Sequence, residues 1–90
     1  MIYKVDISRR VRGQIERLPG HMRQRVKREI ARLAFNPRPE CAEEFGGNLI
    51  GRYKIRLEGY RLVYRVADEV VVVEVLKAGK KHDAFYQDLD

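Results

Sequence analysis

Nineteen lysines and arginines against 13 acidic residues give this 90-residue chain a formal charge of +6, a field that favours a nucleic acid or an acidic protein as partner. Hydrophobic residues make up 44%, enough for one small core, while no apolar run approaches the roughly 20 residues that cross a bilayer, which excludes a membrane partner. The single cysteine, Cys41, excludes an internal disulfide, and with only His21 and His82 beside it there is no metal-ligand spacing, so neither metal nor cofactor is expected.

Met1 to Asp6 set Ile2 and Lys4 against Tyr3 and Val5, which suits a short first strand, and they lack the apolar segment of a signal peptide, which points to a cytoplasmic protein. Ser8 is placed to cap a helix whose apolar stripe is Ile7, Val11, Ile15 and Leu18. Pro19-Gly20 breaks it. A second helix follows from about His21 to Phe35, with Met22, Val26, Ile30 and Leu33 at the same spacing and arginines around the rest. So short a break predicts an antiparallel helical hairpin whose two stripes need a common cover, which a sheet supplies. Asn36-Pro37-Arg38-Pro39 stops the second helix. Glu40 to Gly51 reads as an acidic, glycine-bearing loop with Phe45 and Leu49 as anchors.

Arg52 to Val66, RYKIRLEGYRLVYRV, organises the rest. Tyr53, Ile55 and Leu57 alternate with Arg52, Lys54 and Arg56, and Glu58-Gly59 reads as a two-residue turn with glycine supplying the positive φ. Setting Leu57 against Tyr60 puts Arg56 opposite Arg61, Lys54 opposite Val63 and Arg52 opposite Arg65. Like charges facing each other across a sheet are destabilising, so folding alone does not account for them, whereas a surface built to hold a polyanion does. Tyr53, Tyr60 and Tyr64 fall on the apolar side and read as core.

Ala67-Asp68-Glu69 is a second turn, and Val70 to Ala78, VVVVEVLKA, reads as a strand buried on both faces near the middle of the sheet. Gly79 ends it. The tail from Lys80 to Asp90 is expected to make a short helix with Asp83 as cap and Phe85 or Leu89 as anchor. The fold class is therefore α+β, a single domain over 1–90: an N-terminal strand, a two-helix hairpin, then three antiparallel strands in one sheet with the helices on one face, and a short C-terminal helix.

There is no glycine-rich phosphate loop, no nucleophile elbow and no helix with paired histidines. The acidic residues gather in the loop and the tail, which gives paired-carboxylate hydrolysis little support. What remains is a basic sheet face of Lys54, Arg56 and Arg61, followed by Lys80, Lys81, His82 and Tyr86.

The run YKIRLEGYRLVYRVADEVVVVEVLKAGKKHDAFY resembles the catalytic half of the RelE-type toxins of the RelE/ParE superfamily, and the order of elements extends the resemblance over nearly the whole chain. The resemblance implies a toxin that cuts messenger RNA in the ribosomal A site and a cognate RelB-like antitoxin that wraps and blocks it. It implies that Lys54 and Arg56 match the family's basic pair on the second strand, that Arg61 matches the arginine of YRLVY, and that Lys81 and Tyr86 match its C-terminal cation and tyrosine. Arg52, Arg65, Lys80 and His82 are expected to hold RNA. Arg56 and Lys81 exchange arginine and lysine relative to the best-known members, which changes donor geometry.

The chemistry such groups support can be stated without the name. RNA cuts itself when its 2′-OH attacks the adjacent phosphate, provided that the proton is taken, the extra charge is steadied and the leaving 5′-oxygen is protonated; no metal is required. Arg61 and Arg56 suit the charge, and Lys54, flanked by cations, suits proton exchange near neutral pH. Tyr86 is suited to orient the 2′-OH, to stack on a base or to accept the proton, and Lys81 or His82 to serve the leaving group. The bland readings are a solvated strand face for the cations, a packing anchor for Tyr86, and a solvated exterior for the helical arginines, which are equally suited to hold ribosomal RNA by its phosphates. Two rival functions stand beside the nuclease: a ParE-type toxin that poisons DNA gyrase by binding it, and an RNA-binding module without chemistry.

Overall fold

In the computed structural model, which describes residues 2–87 and 89, Lys4–Ile7 form strand β1 and Ser8 caps helix α1 (Arg9–Glu16) by accepting the Val11 amide at 3.2 Å. After Pro19, helix α2 runs over Gly20–Leu33, and the Pro19 carbonyl accepts the Arg23 amide at 2.8 Å. Strands β2 (Ala42–Glu44), β3 (Arg52–Leu57), β4 (Tyr60–Ala67) and β5 (Val72–Lys80) follow, with 3-10 turns at Gly47–Leu49 and Asp68–Val70. The first strand thus starts later than its alternation suggests, and Met1 lies outside the described residues.

The five strands lie in the order β1-β5-β4-β3-β2; β1 is parallel to β5 and the other pairs are antiparallel. Two expectations are corrected here. Parallel pairing was not foreseen, because alternation within a strand carries no record of its neighbour's direction. Strand β2 was read as loop: it is a three-residue edge strand holding Glu43 and Glu44, and charged, short edges are how a sheet avoids recruiting a further strand.

The β3-β4 register is the one expected, with Lys54 opposite Val63, Arg56 opposite Arg61 and Arg52 opposite Arg65. The left-handed residue of the tip is Glu58, at φ 60°, and not Gly59. A non-glycine residue there costs about 1–2 kcal/mol, and an ion pair from the Glu58 carboxylate to Arg25 at 2.8 Å ties the tip to α2.

One face of the sheet packs on the helices. Val11 and Ile15 of α1 and Met22, Val26, Ile30 and Leu33 of α2 meet Tyr53, Ile55, Leu62, Tyr64, Val73 and Val75 in the main core. Tyr53 and Tyr64 are buried as read, and Tyr60 packs partly against the same core. Strand β5 starts at Val72 and not at Val70, because Val71 adopts φ 57° after the Asp68–Val70 turn. It is not buried throughout: Val73, Val75 and Ala78 face the helices, and the change of spacing marks a bulge at Leu76, beside the β4 residues Val63 and Tyr64. Beyond the bulge the Ala78 amide donates to Gln14 Oε1 at 3.0 Å, which docks α1 onto β5.

The expected C-terminal helix is absent among the described residues. Residues 83–87 form successive turns instead, closed by the Phe85 amide on the His82 carbonyl (3.0 Å) and the Gln87 amide on the Ala84 carbonyl (3.2 Å). His82 takes the part read for Asp83, its Nδ1 accepting the Ala84 amide at 3.3 Å. Asp88 and Asp90 lie outside the described residues. The anchors are as read: Phe85 and Leu89 are buried around Val63 on the face away from the helices, with Phe45, Leu49, Leu76 and Tyr86 at the margin of this second apolar cluster. No helix among the described residues is long and apolar enough to cross a membrane.

Candidate active site

Three rows of side chains cross the sheet on the face away from the helices. The register sets Lys54 on β3 beside Val63 on β4 and Lys77 on β5; the next row is Arg56, Arg61 and Gly79, and a third is Arg52, Arg65 and Glu74. The tail lies over the first row. Its centre is Val63, fully buried under Phe85 and Leu89, so the face is not the open basic surface expected from the alternation of charges.

Tyr86 is where the sequence-predicted residues converge. Its ring lies 5.1 Å from the Lys54 ammonium and 5.8 Å from the Lys81 ammonium, and it meets Phe45 edge to face at 5.4 Å. Lys54 also lies 5.5 Å from the Phe45 ring, so two aromatic rings flank it. Among the described residues the enclosed Tyr86 hydroxyl has no hydrogen-bond partner. A buried hydroxyl left so forfeits about 1–3 kcal/mol.

The arginines are held differently. Arg61 donates from one guanidinium nitrogen to the carbonyls of Glu58 (2.9 Å) and Tyr60 (2.8 Å), which folds it against the hairpin tip. Across from it on β5 is Gly79, so no side chain crowds it from that strand. Arg56 pairs with Glu43 at 3.2 Å and Arg65 with Glu74 at 3.0 Å. These two contacts correct the argument that folding alone cannot explain facing arginines, because each facing pair has one member neutralised by an acidic neighbour. Glu43 was invisible as a partner while β2 was read as loop. Arg52 Nε, beside Arg65, is buried without a hydrogen-bond partner among the described residues.

At the end of β5, Lys80 is exposed opposite Tyr60, and the Lys81 amide donates to Gly59 at 2.9 Å, which sets the start of the tail beside the hairpin tip. His82 rests edge to face on Phe85 at 5.7 Å and belongs to the turn as much as to the surface. Of the nine residues singled out, Lys54, Lys81 and Tyr86 are brought into one cluster. Arg56 and Arg61 form the adjoining row, Lys80 and His82 flank the tail, and Arg52 and Arg65 lie in the row beyond Lys54.

Two features escaped the sequence reading. Lys77 looked like part of a buried run, and only the bulge turns it to the same face as Lys54. The other is a polar clasp at the end of the sheet away from the hairpin tip, where Arg38 donates to both oxygens of Asp68 (2.7 and 3.1 Å) and to the Tyr53 hydroxyl (2.7 Å), while Tyr3 donates to Asp68 at 2.7 Å. The hydrogen bonds from Arg38 and then Tyr3 lower the Asp68 carboxyl to about 2, and the bond to Asp68 raises the Tyr3 phenol. Tyr64, which donates to the Pro37 carbonyl at 2.8 Å, is raised chiefly by burial. Among the described residues no three His, Cys, Asp or Glu side chains gather to hold a metal ion. Cys41 is an exposed thiol.

The family model of the ParE toxin of type II toxin–antitoxin systems, parDE, matches residues 5–82. The chain is 35% identical over 81 residues to the mRNA interferase toxin RelE of Escherichia coli, which covers 90% of this chain and 85% of that one. The structure of a doubly substituted E. coli RelE toxin in the free state superposes with a TM-score of 0.81 at 33% identity, over 99% of this chain and 95% of that chain. RelE of the intact E. coli RelBE toxin–antitoxin complex superposes with a TM-score of 0.75 at 35% identity, over 89% of this chain and 98% of that one. The fold and the matched span agree, and the chain belongs to the RelE/ParE superfamily of type II toxins, on its RelE side.

Proposed function

We propose that this toxin is an endoribonuclease that cuts messenger RNA in the ribosomal A site and thereby stops translation. The observation that carries the reading is the gathering of Lys54, Lys81 and Tyr86 around one ring, next to the row of Arg56 and Arg61. The naming of its E. coli relative as an mRNA interferase supports it.

In the proposed reaction the 2′-OH gives its proton to Lys54 acting as the free amine, with the Tyr86 phenol beside it, and its oxygen attacks the adjacent phosphorus. The guanidinium of Arg61, with Arg56 beside it, steadies the charge on the phosphorane, which a fixed cation does without reorganising at the moment of reaction. The P–O5′ bond then breaks and the leaving oxygen takes a proton from Lys81. The products are a 2′,3′-cyclic phosphate and a 5′-hydroxyl, and the balance needs neither water nor metal. Arg52, Arg65, Lys80 and His82 hold the flanking RNA. The helical cations Arg25, Lys27 and Arg32 pair with Glu58, Glu16 and Glu29, which favours a mostly solvated role for that side of the molecule.

The partner that restrains the toxin is a RelB-like antitoxin, a reading supported by the solved complex of the E. coli relative and by the charge of +6 that an acidic segment complements. Cytoplasmic action follows from ribosomes as the target. One observation favours a second reading, gyrase inhibition: the matching family model is that of the ParE toxins. Primer extension on a message translated in vitro, beside a gyrase supercoiling assay, separates the two. Cuts within codons with gyrase unaffected support the nuclease; an intact message with stalled supercoiling overturns it in favour of the gyrase reading.

A further inference from the structure

Lys77 and Lys54 stand on either side of Val63 in one row of the sheet, and consecutive residues of the tail lie over them: Phe85 over Lys77, and Tyr86 over Lys54. The Lys77 ammonium donates to the Phe85 backbone carbonyl at 2.5 Å and lies 4.6 Å from the centre of the Phe85 ring. A charged donor on a backbone carbonyl makes a stronger hydrogen bond than a neutral one, and the half-buried setting shields it from water.

The Tyr86 hydroxyl, which has no partner among the described residues, does not hold the ring in place. Its position follows from the segment that carries it. Among the described residues that segment is closed by the Phe85 and Gln87 amides on backbone carbonyls and by the Ala84 amide on His82 Nδ1, and turns without a helix behind them fray easily. Burial of Phe85 and Leu89 fixes how deep the tail sits. Burial is non-directional, however, and leaves the segment free to slide or to rotate about its own axis. A directional bond to the carbonyl immediately before Tyr86 removes that freedom.

We propose that Lys77 is the positioning residue for Tyr86: it holds the 82–87 turn in the one orientation that sets the phenol beside Lys54. The functional half of this inference rests on the nuclease reading above. Its consequence is steep, because misplacement of a reacting group by about 1 Å costs on the order of 100-fold in rate.

The test uses the full chain with Lys77→Met, which keeps the stem and removes the ammonium, together with Lys77→Arg and Tyr86→Phe. Three quantities are read: native-state exchange of the Phe85 and Gln87 amides, ribosome affinity, and the single-turnover rate on programmed ribosomes. In Lys77→Met, exchange at those two amides should rise at least about 10-fold while the amides of Ile55 and Val73 stay protected. The rate should fall by about 10- to 100-fold at unchanged ribosome affinity. Lys77→Arg should restore most of both, and adding Tyr86→Phe to Lys77→Met should cost little further, since both remove the same contribution. Unchanged exchange overturns the proposal, and so do losses from Lys77→Met and Tyr86→Phe that multiply independently. If the parent chain cuts no message, the nuclease reading fails on its own, and the exchange of Phe85 and Gln87 alone then upholds or overturns the hold of Lys77 on the tail.

Discussion

The Lys54 ammonium lies 5.1 Å from the centre of the Tyr86 ring, so a strand residue and a tail residue far apart in sequence share one environment. If these groups move protons, Tyr86→Phe and Lys54→Met should each slow single-turnover cleavage by about 100- to 10,000-fold, the range typical of a lost general acid or base. Ribosome affinity, read by co-sedimentation, should stay within about three-fold. A module that only binds RNA would instead lose affinity and have no cleavage to lose.

The ion pair from Glu43 to Arg56 restrains a cation assigned to the phosphate. Both side chains are exposed, so Glu43→Gln should change stability by less than about 1 kcal/mol in chemical denaturation. Binding to RNA should tighten, and the slope of log affinity against log salt should steepen by up to about 1, as one more cation becomes free to displace counterions.

Asp68 should contribute to the acid sensitivity of the fold. Its folded pKa is lowered to about 2 from 3.8, chiefly by the hydrogen bond from Arg38, so its contribution is complete above the unfolded value and is lost as pH falls from about 4 towards 2. Thermal melts should show a drop in midpoint over that window. In Asp68→Asn the drop should shrink, with a lower midpoint at neutral pH.

The two apolar clusters should fail differently. Leu62 is fully buried in the main core, and Leu62→Ala should cost about 2–5 kcal/mol of global stability in urea titrations. Phe85 is as deeply buried but belongs to the small cluster under the tail. Phe85→Ala should release the tail locally, lowering the global midpoint far less while abolishing cleavage.

The register of the β3-β4 hairpin was legible in the sequence, because a two-residue turn and a strict alternation leave one register. Both helices were legible for the same kind of reason: Ser8 marks a cap, and the apolar stripes repeat with the helical period. The site was legible only in part. Lys54, Lys81 and Tyr86, singled out in the sequence, do lie together, but the partners of Arg56 and Arg65 were not foreseen, since Glu43 sits in an edge strand too short to show a period and Glu74 reaches Arg65 only once β5 is placed beside β4. Lys77 stayed hidden for a third reason: a bulge adds one residue to a strand and reverses which face the following side chains take, and nothing in VVVVEVLKA announces it. The clasp of Arg38 and Asp68 joins two turns across the sheet, a contact that local sequence does not encode.

The most direct test of the account is the chemistry of the ends left on a message translated in the presence of the toxin. Fragments carrying a 5′-hydroxyl and a 2′,3′-cyclic phosphate, absent when Arg61→Ala replaces the parent, are the result the account predicts. Fragments carrying a 5′-phosphate, or a message that stays whole while cell growth stops, would contradict it.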